Sequence, residues 1–155
     1  MPDMLVKLYT LPAAAPVLGR LSEHGVVCRR AESFERSAVT AFVNEQFPAW
    51  VDETLVAFAH VPIGVFIAIE GGRIVGFACI ETARPNFFGP TGVDEGQRGR
   101  GIGKALLLMS LEAMREMGYA YAIIAGVGPA SFYAHSVGAT VIEGSEPGIY
   151  GGRIR

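Results

Sequence analysis

The sequence predicts an α/β (α+β) fold, a mixed and largely antiparallel central sheet flanked by helices. Three observations carry that expectation. Two apolar, β-branched runs flank Gly71-Gly72 in "GVFIAIEGGRIVGFACIE", the pattern of a tight hairpin whose two central residues both accept positive φ. Ile102, Leu106, Met109, Ala113 and Met117 recur at steps of three or four, as one stripe of a long helix does. Strand-like and helix-like segments are interspersed, and an antiparallel meander among helices points to a sheet covered by helical layers.

The elements follow in order. "MLVKLYTL" alternates in part and reads as a strand. "AAPVLGRLSEHG" reads as a short helix closed by Gly25. Val26–Ala31 is a second strand. Val39, Phe42, Val43 and Phe47 mark a helix from Glu35 to Phe47, and Pro48 breaks it before the next, Trp50–His60. The hairpin then supplies two strands. "FFGPTGVDE" is the third strand of the meander, and Gly89, Pro90 and Gly92 interrupt it. Such a strand is kinked or bulged, with backbone amides freed from the ladder. The long helix ends at Gly118. Tyr121–Val127 reads as a buried strand and "PASFYAHSVG" as a short helix from Pro129 to Gly138. "ATVIEG" and "GIYGGRI" read as closing strands.

Composition narrows the function classes. A chain of 155 residues suits one domain, and half of it is hydrophobic. The net charge of −2 argues against a nucleic-acid partner, which calls for a basic excess. Neither a secretory signal nor an apolar run of membrane-spanning length is legible, so the expectation is a soluble, cytoplasmic protein. Cys28 and Cys79 follow no metal-ligand spacing. His24, His60 and His135 form no spaced cluster, so no metal site is expected.

The chemistry concentrates in "DEGQRGRGIGKALL". A glycine-rich turn entering a helix cradles phosphate, because successive amides point at the anion and no side chain blocks its approach. A Walker A loop requires glycine at position 98 and a hydroxyl residue at 105, where this chain has Arg98 and Ala105. A dinucleotide fingerprint requires glycine or alanine at Leu106 and an acidic residue about 20 positions on, where Tyr121 stands.

A third pattern fits. Arg98-Gly99-Arg100-Gly101-Ile102-Gly103 resembles motif A of the GCN5-related N-acetyltransferases, Arg/Gln-x-x-Gly-x-Gly/Ala, set between a bulged strand and a long helix. "SFYAHSVGA" resembles that family's later Phe-Tyr segment. The resemblance covers roughly Val26 to Tyr150. It implies a GNAT-type sheet with a bulged fourth strand, a single domain over 26–155, and residues 1–25 as a βα extension packed on it. It also implies acetyl-CoA as co-substrate, held by Gly92, Val93, Arg98, Gly99, Arg100, Gly101, Ile102, Gly103 and Lys104. The arginines and the lysine would add charge-assisted bonds. The chain departs from the family pattern at Glu95, often proline, and at Gly126-Val127-Gly128-Pro129, where an asparagine often contacts the cofactor.

Acyl transfer from a thioester to an amine needs oxyanion donors, a neutral amine, held geometry and a proton for the thiolate. The donors are expected from amides around Gly92, Val93 and Asp94. Tyr133 matches the family's acid, and a phenol can carry that proton. Glu81 is the candidate base, at the end of the strand before the kink. Glu45, Asp52 and Glu53 lie on the two early helices, which shape the acceptor site in the family. Trp50 is either core or a wall of that site. The implied reading is direct transfer in a ternary complex to a primary amine on a small molecule, with a homodimer open. The rivals are an acyl-CoA-binding module without chemistry and a nucleotide-binding regulator.

Overall fold

The computed structural model describes residues 1–154. Its strands are β1 (Met4–Lys7), β2 (Val26–Arg30), β3 (Val65–Glu70), β4 (Arg73–Ile80), β5 (Phe87–Val93), β6 (Tyr121–Ile124) and β7 (Thr140–Val141). Its helices are α1 (Ala15–Glu23), α2 (Arg36–Gln46), α3 (Val51–Ala59), α4 (Ile102–Glu116) and α5 (Ala130–Val137). Among the described residues the strands form one sheet in the order β2-β3-β4-β5-β6-β1-β7. Every neighbouring pair is antiparallel except β5 and β6.

Local chemistry sets the central strands. Gly71 and Gly72 carry φ of 57° and 74°, the two positive values that a tight hairpin turn needs. On β4 and β5 the register runs from Ala78 opposite Thr91 to Ile80 opposite Phe88. Gly89 and Pro90 therefore stand against Cys79 alone, which is the bulge expected from the sequence. It lies on β5, the fourth strand counted from residue 26.

Helices cover both faces. Leu21 of α1, Leu106, Leu111 and Met114 of α4 and Val137 of α5 pack on one face of the sheet with Phe66, Ala78 and Phe88. Val39, Phe42 and Val43 of α2 and Phe58 of α3 pack on the other with Ile67, Phe77 and Cys79. The buried arc of α4 is wider than the single stripe expected. Leu107, Leu108, Leu111 and Met114 are buried while Met117 is half exposed, because α4 touches the sheet on one side and α1 on another.

Two features were not legible locally. β1 lies inside the sheet, with Val6 opposite Ala122 and Met4 opposite both Ile124 and Val141. Met4, Val6 and Leu8 are buried there. The second closing strand is absent. Gly148–Tyr150 is one 3₁₀ turn, and the first is shortened to Thr140–Val141. Pro147 offers no ladder donor, and Ile149 and Ile154 stay exposed, so the segment has no apolar face to dock as a strand. No helix is long and apolar enough to cross a membrane among the described residues.

Candidate active site

The glycine turn joins the C-terminal end of β5 to α4. Gly99 and Gly101 carry φ of 81° and 90°, backbone that side-chain-bearing residues rarely adopt. Gly101 is the N-cap of α4, and no side chain caps that end. The first α4 amides thus lack intrahelical acceptors and face outward with the positive end of the helix dipole. Gly103 sits close to both β5 and α5: a Cβ there would stand 3.7 Å from Val93 Cγ2 and 3.8 Å from Phe132 Cζ. The turn therefore opens along the seam between those elements.

The three basic side chains are placed differently. Arg98 is exposed and its Nε donates to the Val93 carbonyl at 3.3 Å. Lys104 is half-buried in the first turn of α4. Arg100 turns to the α1 flank. Its guanidinium donates to both carboxylate oxygens of Glu70, at 3.1 and 2.7 Å, and to Gln97. It lines a hollow of about 280 Å³ with Val17, Arg20, Leu21 and His24. An anion at the glycine turn thus meets an Arg100 charge already shared with Glu70.

Next to the turn, the sheet splits. β5 and β6 pair only at Phe87–Ile123 and Phe88–Ile124. Beyond those pairs they diverge around a cavity of about 600 Å³. Phe88 to Thr91 of β5 form one wall, and Ile124 to Pro129 the other. The residues just before β1 fix the second wall. The Asp3 carboxylate accepts from Gly126 N–H at 2.9 Å, and Val127 N–H donates to the Pro2 carbonyl at 3.0 Å. The first wall is also tied, since Thr82 Oγ1 donates to the Gly89 carbonyl at 2.9 Å.

Tyr133 lines this cavity from α5. Its ring packs edge-on against Phe88 and Phe132, with centroids 6.4 and 5.0 Å away. Burial raises its hydroxyl pKa above the usual phenol value, so the proton stays on at neutral pH. No buried side-chain polar atom lacks a partner among the described residues.

Strand alternation separates the three amides expected as oxyanion donors. Asp94 N–H donates to the Val75 carbonyl of β4 at 2.9 Å. The Gly92 amide, two residues earlier, points to the same edge. Those of Thr91 and Val93 point to the opposite edge, where β6 has moved away. Of the three, Val93 is therefore the one whose amide points toward the split between β5 and β6. Gly92 serves packing: a Cβ there would stand 2.6 Å from Phe47 Cζ.

The acidic candidates sort by burial and partner. Glu45 and Asp52 are exposed. Glu81, in left-handed backbone at φ 58°, accepts a hydrogen bond from the Tyr119 hydroxyl. Its backbone is pinned too, by Phe87 and by His60. Its neighbours Thr82 and Ala83 line the cavity, and Glu81 does not. The Glu81 side chain thus joins β4 to the α4–β6 loop. Glu53 of α3 does line the cavity, with Trp50, Tyr150 and Arg153. Burial pushes its carboxyl pKa up, against the opposing effects of Tyr150 and Arg153. Tyr150 and Arg153 were missed because sequence reading gave that segment to a strand. Burial also raises the Cys28 thiol to about 11 and the Cys79 thiol to about 12.

Comparison with known proteins agrees with this geometry. The model of the acetyltransferase (GNAT) family matches residues 28–137. A fungal multi-domain β-N-acetylglucosaminidase with a GCN5-related glucosamine N-acetyltransferase region superposes with a TM-score of 0.76 at 16% identity, over 91% of this chain and 19% of that one. A GCN5-related N-acetyltransferase from Sphaerobacter thermophilus superposes with a TM-score of 0.69 at 24% identity, over 91% of this chain and 48% of that one. A GNAT family acetyltransferase from Brucella melitensis in complex with acetyl-CoA gives 0.51 at 20% identity, over 72% and 81%. The chain thus spans about a fifth and about half of the first two structures. At these identities the likeness is one of fold. No match is found among curated proteins.

Proposed function

The chain belongs to the acetyltransferase (GNAT) family, and from that premise we propose that it transfers an acetyl group from acetyl-CoA to a primary amine on a small molecule, directly and within a ternary complex. The observation that carries the proposal is the alignment of three features along one seam. These are the uncapped α4 N-terminus, the divergence of β5 from β6, and the Tyr133-lined cavity beyond it.

The residues fit the co-substrate. The amides of Ile102, Gly103 and Lys104 offer donors to a pyrophosphate, and Gly99 and Gly101 let it approach. Arg98 and Lys104 add positive charge nearby, with Arg100 held to one side by Glu70. The split between β5 and β6 would hold the pantetheine arm. There Val93 N–H is the amide aimed at a thioester oxygen as it gains charge. Tyr133, kept protonated by burial, donates a hydrogen bond to the departing sulfur.

The cysteines support direct transfer. A thiol raised to about 11 or 12 is almost entirely protonated at neutral pH, and the thiolate is the nucleophile. Neither Cys28 nor Cys79 is suited to carry the acetyl group.

Gly101→Glu tests the reading. It places a carboxylate and a strained backbone, now at φ 90°, where the pyrophosphate should lie. Coenzyme A binding by calorimetry should fall below detection while circular dichroism shows an intact fold. Unchanged affinity would remove the basis of the assignment.

A further inference from the structure

Two oppositely charged side chains line the cavity with no ion pair between them among the described residues. Glu53 lies half-buried on α3 and its Oε1 accepts from the Tyr150 hydroxyl at 3.4 Å. The Arg153 guanidinium lies 5.9 Å from the centroid of the Tyr150 ring. Arg153 is close enough to favour the charged form of Glu53, yet no ion pair joins them among the described residues. Both side chains line the same space as the β5 bulge and Tyr133. The remaining acid on that rim, Glu146, is tied to the Met1 ammonium.

We propose that Glu53 and Arg153 form the acceptor subsite, with Glu53 holding and deprotonating the reacting ammonium and Arg153 binding an anionic group of the same molecule. The substrate class is thus a small zwitterion, a primary amine that also carries a carboxylate. This rests on the acetyl-transfer reading and deepens it. Opposite charges that line one cavity and both neighbour Tyr150 complement an ammonium and a carboxylate borne on one small molecule. A polyamine presents only cations, and Arg153 would repel them. An amino sugar presents no anion to Arg153.

The proton balance closes. The ammonium gives one proton to the Glu53 carboxylate, and the nitrogen lone pair attacks the acetyl carbonyl. The C–N bond forms and the C–S bond breaks, with the electron pair leaving on sulfur. The second nitrogen proton offsets the one taken up by the thiolate beside Tyr133. Glu53 returns its proton to solvent, so one proton is released per turnover. The burial that raises the Glu53 pKa also makes it a better base for this step.

The test measures thiol release on a panel of free amino acids, their amides, the matching decarboxylated amines and spermidine. Free amino acids should exceed their amides at least about tenfold in kcat/KM, the scale of one charge contact. Arg153→Gln should erase that preference, bringing the ratio of kcat/KM for free amino acids over their amides to about one. Glu53→Gln should lower kcat about 100-fold on every acceptor, with coenzyme A affinity by calorimetry unmoved. Glu53→Asp, which keeps the carboxylate, should retain part of the rate and guards against a folding artefact. The subsite is overturned if spermidine or the decarboxylated amines are preferred, if Arg153→Gln keeps the preference, or if Glu53→Gln keeps kcat. Coenzyme A binding with no thiol release on any acceptor would overturn acetyl transfer itself, and the subsite with it.

Discussion

Gly92→Ala isolates the contact between β5 and the aromatic layer beneath it. The new Cβ would stand 2.6 and 2.7 Å from Phe47 Cζ and Cε2, where carbon atoms rest at about 3.5–4.0 Å. The Phe47 ring must therefore move by about 1 Å. It is not free to do so. It stacks on Trp50 at 5.3 Å and 17°, tilts against Phe77 at 5.8 Å and meets Phe42 at 6.3 Å. Phe77 is fully buried, so the strain passes into the core under α2 and α3. Overpacking of this kind costs about 1–3 kcal/mol. For a chain of this length, 2 kcal/mol corresponds to a fall in Tm of about 4–8 °C. Thermal unfolding of the purified variant gives the value directly. Phe47→Leu removes the obstructing ring edge, so the double variant should recover at least about 1 kcal/mol relative to the sum of the single changes. A Gly92→Ala protein with unchanged Tm, or a cycle in which the two costs simply add, would refute the claim that Phe47 is fixed against β5.

Tyr133→Phe keeps the ring between Phe88 and Phe132 and removes only the hydroxyl. Turnover should fall about 100-fold, or about 2.7 kcal/mol of barrier, with Tm and coenzyme A affinity nearly unchanged; full activity would leave water as the proton donor. The pH dependence of stability should show the Arg29–Glu35 pair. Arg29 donates to both Glu35 oxygens at 2.7 Å, and that hydrogen bonding is the largest cause holding the Glu35 carboxyl down at about 2 against an ordinary 4.5. Its folded pKa is depressed, so the pair's contribution is complete above about pH 4.5 and is lost as pH falls towards 2. Arg29→Gln should flatten the Tm slope across that window, and an unchanged slope would show that the pair contributes nothing measurable.

Sequence alone determined the elements whose causes are local. The Gly71-Gly72 hairpin follows from two adjacent residues that accept positive φ, and the helical course of α4 from the spacing of its apolar residues. The β5 bulge follows from Gly89 and Pro90 in a strand. The glycine turn that opens α4 is local in the same way, because the amides it exposes belong to consecutive residues. Tertiary structure decided whatever depends on partners distant in the chain. β1 enters the sheet only by pairing with β6 and β7, more than 110 residues away, and nothing in "MLVKLYTL" encodes those neighbours. Arg100 shares its charge with Glu70, 30 residues earlier, a partner that only the fold brings to it. Glu81 and Glu53 are indistinguishable as surface acids in the sequence. Folding brings Tyr119 to the first and Tyr150 to the second, and only the second faces the cavity. A carboxylate's chemistry depends on its desolvation and its nearest charges, and both are set by segments that meet only when the chain is folded.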